Sequence, residues 1–341
     1  MRAAVYHNNH DIRLAELPEP EPGPGELRMR IEASGICGSD VVEWYRVRKA
    51  PLVLGHEVAG TVEAVGEGVT RWRPGDRIVA AHHVPCNTCR HCLAGHPSTC
   101  DTLRTTTFDP GGFCERVRLP ALNVDRGTFR LPDELSFDEG TFAEPLACVL
   151  RAQRLAGGPP GRSVLVLGSG LAGLLHLRLA AALGAGRLLA TDLLENRREA
   201  ARQSGADAVF DGRDDVPRLV REANGGAGAD LVVVCADAPE VYRQAFASVE
   251  RGGTVLVFAL PTPDRDVPLP LYELWRDGVT LTSSYAGPPR ETAEALELLR
   301  AGRVRVADLI THRLPLAETP RGFALVAAGR DCIKVIIRPQ E

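Results

Sequence analysis

Ser163–Asp192 reads SVLVLGSGLAGLLHLRLAAALGAGRLLATD, and its interpretation decides the fold. An unbroken apolar run, Ser163 to Leu167, enters Gly168-Ser169-Gly170-Leu171-Ala172-Gly173. A helix-compatible stretch follows, and a second apolar run closes on Asp192. G-x-G-x-x-G alone is a weak pattern, but a strand before it, a helix after it and an acid ending the next strand are the context it needs. Gly168 permits the tight turn, Gly170 lets a pyrophosphate approach the backbone at the helix N-terminus with Leu171 and Ala172, and Gly173 permits close helix–strand packing. Asp192 is placed to accept hydrogen bonds from an adenosine ribose. A carboxylate there repels a 2′-phosphate and favours NAD over NADP, whereas Arg197 and Arg198, a turn into the next helix, work in the other direction.

Downstream of this unit the alternation continues. Helix Glu195–Ser204, strand Asp207–Phe210, helix Val216–Ala223, strand Asp230–Cys235, helix Pro239–Val249 and strands Gly253–Ala259 and Gly278–Ser284 are expected from the pattern. Apolar strands each followed by an amphipathic helix make a parallel sheet covered on both faces, so the class is α/β with a doubly wound domain. Upstream the texture is different. From Arg2 to Val124, short strands such as Leu27–Ile36, Glu57–Val65 and Arg77–Ala81 are broken by Gly and Pro, which is all-β. One helix, Asp138–Leu155, leads to the breaker cluster Gly157-Gly158-Pro159-Pro160-Gly161. The expected division is a β-rich domain over 1–150 and 287–341 and a nucleotide-binding domain over 151–286, with the last strand, Ile333–Ile337, returning to the first.

Cys86, Cys89, Cys92 and Cys100 form C-x2-C-x2-C-x7-C inside a lobe of residues 83–105, a spacing that wraps one tetrahedral metal ion. Four thiolates complete that sphere, so this ion is expected to be structural. The N-terminus lacks the basic and apolar regions of a signal peptide, and no run is long enough to span a membrane. The nine cysteines are therefore expected in a reducing cytoplasm. A formal charge of −4 with no block of like charge offers no nucleic-acid face and points to a small-molecule substrate. The chain carries only two lysines, Lys49 and Lys334, which leaves few candidates for a Schiff base.

A second constellation lies in the β-rich half: Cys37 in CGSD, His56 and Glu57 in GHE, and Glu144 in FAEPL. Cys, His and carboxylate suit a catalytic zinc, which takes three protein ligands and keeps one position open. Together with GHEVAGTVEAVG at 55–66, GDR at 75–77, GGFCERV at 111–117 and AEPLAC at 143–148, these motifs make the chain resemble the zinc-dependent medium-chain dehydrogenases, nearest the sorbitol/polyol and threonine dehydrogenase branch. The resemblance spans the chain and implies a GroES-like catalytic domain beside the Rossmann domain, two zinc ions per subunit, and hydride transfer between a secondary alcohol and NAD. The working alternatives are a ketone reductase using NAD(P)H and a non-catalytic NAD-binding relative. It further implies that Cys37 and His56 hold the catalytic zinc with Glu57 or Glu144 as third ligand, that Asp40 orients His56, and that Ser39 relays the substrate proton. Relatives often carry histidine three residues beyond that hydroxyl, where this chain has Val42. Glu43, Trp44, Tyr45, Arg104 to Thr107, Glu115 and Arg116 are candidate pocket residues, and a homodimer or homotetramer is expected, joined at the strand Val279–Ser284.

Overall fold

The structure, a computed structural model, describes residues 1–341, and the chain divides into two compact units. One contains Met1–Ala147 and Ala286–Glu341; the other contains Cys148–Tyr285.

The second unit holds a six-stranded, wholly parallel sheet. Its order across the sheet is Ala208–Asp211, Arg187–Asp192, Ser163–Leu167, Ala229–Val234, Val249–Val257 and Thr280–Ser283. Ser163–Leu167 is central, and Val164 to Leu167 are completely buried, which is why this strand reads as a continuous apolar run rather than an alternation. The chain reverses direction across the sheet at this strand, so the loop leaving its C-terminal end is the ligand crevice of a doubly wound fold. Gly168 turns that loop at φ +97°, open to glycine and strained for other residues. A Cβ at Gly173 would collide with the Gly168 carbonyl, so the helix Leu171–Ala182 packs this closely only because position 173 is glycine.

The first unit is built on a seven-stranded sheet. Ile310–Pro315, Lys334–Arg338, Leu27–Gly35, Glu57–Val65, Arg77–Ala80 and Thr128–Arg130 follow one another, and Arg116–Leu119 pairs with Leu27–Gly35. The last strand returns here: Ile336 lies opposite Gly35 in antiparallel register. A second, three-stranded sheet joins Arg2–Asn8 to Asp11–Glu16 and to Leu52–Val53. Tyr6, Leu27, Met29, Ile31, Phe113 and Phe323 form the centre of this unit's core.

The single helix expected over Asp138–Leu155 is two. Phe137–Gly140 starts on a Ser136/Glu139 capping box, and Ala143–Leu155 starts afresh after Thr141, whose hydroxyl donates to the Asp138 carbonyl at 2.7 Å. Pro145 accounts for the break: without an N–H it fits the first turn of a helix and not its interior.

Candidate metal and nucleotide sites

Cys37 lies two residues past the end of the strand Leu27–Gly35 and caps the 3-10 turn Gly38–Val41. Its sulfur accepts the Ser39 N–H at 3.5 Å, and Asp40 reaches back to accept the Cys37 N–H at 3.1 Å. This reciprocal cap fixes the loop that carries Cys37, Ser39 and Asp40 together. The neighbouring strand opens at Glu57 and pairs it with Gly35, so sheet register delivers His56 and Glu57 beside that loop. One ligand atom from each of Cys37, His56 and Glu57 lies within 4.8 Å of the others.

Asp40 is fully buried and sits 3.4 Å from His56 Nδ1, which leaves Nε2 as the ring nitrogen that could face a ligand. Burial pulls the His56 imidazole down, and the Asp40 carboxylate with the Cys37 sulfur more than reverses this, holding it well above the usual range. Glu57 is also fully buried. Its Oε2 is paired with the ammonium of Lys334, equally buried, while its Oε1 accepts no hydrogen bond. A buried carboxylate oxygen without a partner is costly. A cation between Glu57, Cys37 and His56 would satisfy it, so this donor set fits a zinc ion on the protein's own geometry.

Glu144 stands outside that trio. Its Oε1 lies 3.9 Å from Nδ1 of His82, whose ring packs 4.7 Å from His56 and 3.8 Å from His83, centroid to centroid. Burial, helped by neighbouring positive groups, keeps His82 well below the usual imidazole range and takes His83 down to about 4, so both rings are neutral at pH 7. Ser39 donates to Cys37 Sγ at 3.3 Å and accepts from Arg46 Nη2 at 2.9 Å. Of the candidate pocket residues, Glu115 is held by Arg2 at 2.7 Å and Arg116 by Glu63 at 3.0 Å, so both serve structural ion pairs.

The cysteine quartet fits one ion closely. Sulfur–sulfur separations are 3.5 Å for Cys89–Cys92, 3.6 Å for Cys100–Cys86 and 4.0 Å for Cys86–Cys92. A tetrahedron with metal–sulfur bonds of about 2.3 Å has edges of about 3.8 Å. The N–H groups of Cys89 and Cys86 point at Cys86 Sγ and Cys100 Sγ, at 3.3 and 3.5 Å, and such bonds favour thiolates.

In the second unit, Asp192 Oδ2 accepts the Ser169 N–H and Oδ1 the Leu194 N–H, both at 2.9 Å. Each oxygen keeps a lone pair for a ribose hydroxyl. Arg197 Nη1 lies 3.8 Å from Asp192 Oδ2 and 3.7 Å from where a Gly170 Cβ would be, so it leans over the glycine loop. Three neighbours of the first site escaped the sequence reading: Lys334, Arg46 and His82. Lys334 carried the one available signal, as one of two lysines in an arginine-rich chain.

A parallel nucleotide-binding sheet joined in one chain to a β-rich unit bearing thiolate clusters defines the class of two-domain nicotinamide dehydrogenases. Residues 23–133 match the alcohol dehydrogenase GroES-like domain and residues 172–301 the zinc-binding dehydrogenase domain. Sorbitol dehydrogenase of Gallus gallus is 32% identical over 98% of this chain and 96% of its own length. Among solved structures, an alcohol dehydrogenase from Thermus sp. ATN1 superposes with a TM-score of 0.87 at 30% identity, covering 99% of each chain. Galactitol-1-phosphate dehydrogenase from Escherichia coli gives 0.88 at 27%, over 99% of this chain and all of the other. The chain belongs to the zinc-dependent medium-chain alcohol dehydrogenase family, in its sorbitol/polyol branch.

Proposed function

We propose that the chain oxidises a secondary alcohol of a polyol, sugar alcohol or cyclitol with NAD, using one catalytic and one structural zinc. The observation that carries this reading is the convergence of Cys37, His56 and a carboxylate oxygen of Glu57, whose Oε1 is unsatisfied, with the Ser39 hydroxyl beside Cys37. Polyol chemistry is the activity named for the sorbitol and galactitol-1-phosphate dehydrogenases it resembles.

Cys37, His56 and Glu57 would hold the zinc, which when bound would supply Lewis acidity that makes the substrate hydroxyl more acidic. The chain's own residues do the rest. Asp40 fixes the His56 ring, Lys334 pairs with Glu57 and fixes its carboxylate in place, and Ser39, which can both accept and donate, moves the substrate proton. The third ligand in this reading is Glu57; Glu144, 3.9 Å from His82, stands back from the donor trio. The quartet at 86, 89, 92 and 100 holds the second ion and the fold of its lobe. NAD is favoured by the Asp192 carboxylate, and the approach of Arg197 gives NADP a secondary place.

The open edge of the parallel sheet supports a homo-oligomer. Thr280–Ser283 has a partner strand on one side only, and Leu281, Trp275, Tyr272 and Leu271 around it are exposed. An open apolar edge is an association surface, here for a second copy, and Leu281→Glu is expected to lower the mass measured by light scattering. Thiols on this scale suit a reducing, cytoplasmic setting. The test of function is a panel of polyols, sugars, cyclitols and simple secondary alcohols followed by NADH absorbance, with metal analysis of the same sample. Turnover with two zinc ions per chain is expected; a folded, zinc-replete chain inert towards every alcohol would refute the reading.

A further inference from the structure

Arg46 closes the short helix Glu43–Arg46 and folds back over the loop that begins at Cys37. Its guanidinium reaches three acceptors there: the Ser39 carbonyl from Nε at 3.0 Å, the Ser39 hydroxyl from Nη2 at 2.9 Å and Asp40 Oδ1 from Nη2 at 3.2 Å. Its carbon also stacks 4.7 Å from the centroid of the Tyr45 ring, which steadies the fork. The side chain is only 16% exposed, so these bonds form away from bulk water.

Guanidinium has donors and no acceptor, and it stays protonated at any working pH. The contact at 2.9 Å therefore has one sense: Arg46 donates and Ser39 accepts. A serine hydroxyl has two lone pairs and one proton. With one lone pair committed to Arg46, the other is left for the substrate oxygen, and the proton, which here points to Cys37 Sγ at 3.3 Å, turns to the group that receives it onward. We infer that Arg46 is the positioning residue of this site: it fixes the orientation of the Ser39 hydroxyl and stabilises the negative charge that gathers on Ser39 Oγ as the proton passes. It carries no proton itself. The inference rests on the dehydrogenase reading above. Arg46 also ties Ser39 to Asp40, and so couples the relay hydroxyl to the residue that orients His56.

The prediction is a change in the chemical step with little change in substrate binding. Arg46→Met removes a charge-assisted bond and is expected to lower kcat about ten- to hundred-fold, with KM altered by less than about threefold. Arg46→Lys keeps the charge and is expected to recover part of that loss. Because Arg46 acts through Ser39, Arg46→Met added to Ser39→Ala should cost no more than Ser39→Ala alone. A readout free of turnover comes from cobalt substitution. In protein without cofactor or substrate, the Cys37 thiolate-to-cobalt absorption band should shift in Arg46→Met and in Ser39→Ala alike, since the Ser39 bond to Cys37 Sγ is altered in both. Multiplicative losses in the double variant, or an unchanged kcat and band in Arg46→Met, would overturn the inference while leaving the dehydrogenase intact. A wild-type chain that neither turns over alcohols nor shows the thiolate–cobalt band would instead remove the reading beneath it.

Discussion

Lys334 and Glu57 are both completely buried, and their pairing makes a quantitative prediction. Lys334 Nζ also donates to the Ile36 carbonyl at 3.2 Å, and Gly35 leaves room for the pair: a Cβ there would overlap Glu57 Oε2 and lie 2.7 Å from Lys334 Cε. Lys334→Met leaves the buried Glu57 carboxylate without its lysine, with only the nearby His56 ring as a positive neighbour. Breaking a buried pair in this way costs about 3–5 kcal/mol. In a unit of about two hundred residues each kcal/mol moves the melting point by about 2–4 °C, so the metal-stripped variant should melt roughly 6–20 °C below the wild type. With zinc bound, the ion supplies positive charge beside Glu57, and the deficit should shrink. Glu57→Gln in the Lys334→Met background removes the stranded charge and should restore most of the loss in the metal-free protein. The assay is differential scanning calorimetry of stripped and zinc-loaded samples. A fall of less than about 3 °C in stripped Lys334→Met, or a double variant no more stable than the single one, would refute the reasoning.

If the proposed function holds, Cys92→Ser should lower the zinc content by one ion per chain and expose residues 86–100 to limited proteolysis, because an ion at the quartet would hold that lobe. Asp192→Asn keeps the shape and removes the charge; KM for NAD should rise about tenfold while activity with NADP improves, measured as a ratio of kcat/KM values. Asp76 is held below the usual carboxylate range by the Arg130 hydrogen bond, with Arg73 assisting. A lowered folded-state value stabilises above the unfolded carboxylate's pKa and is lost as pH falls through the folded one. Asp76→Asn should therefore lower the melting point at pH 7, and the difference from wild type should close as pH falls below about 4.

Much of this architecture is written locally. Ser163–Leu167, Glu57–Val65 and Val216–Ala223 appear with the bounds their sequence pattern suggests, because each is a periodic or apolar run between clear breakers. Asp138–Leu155 reads as one helix because its apolar periodicity continues across Thr141, and only the placement of Pro145 signals a restart. Residue types chosen for a metal, Cys37, His56 and Glu57, are legible from chemistry. Their supports are not. Lys334 lies 277 positions from Glu57 and meets it only because the last strand pairs beside Gly35. Arg46 is seven residues from Ser39, yet its direction depends on a 3-10 turn giving way to a short helix, which spacing does not fix. His82 sits close in sequence to the quartet, while its ring faces His56 and Glu144.

The measurement that bears most directly on the account is NADH formation by the zinc-loaded chain with a polyol panel, run beside Cys37→Ser of equal fold and equal quartet occupancy. The account predicts turnover of at least one secondary alcohol in the wild type and its loss in Cys37→Ser, whose zinc content falls by one ion per chain. Equal turnover in the two proteins, or no loss of zinc on replacing Cys37, would contradict it.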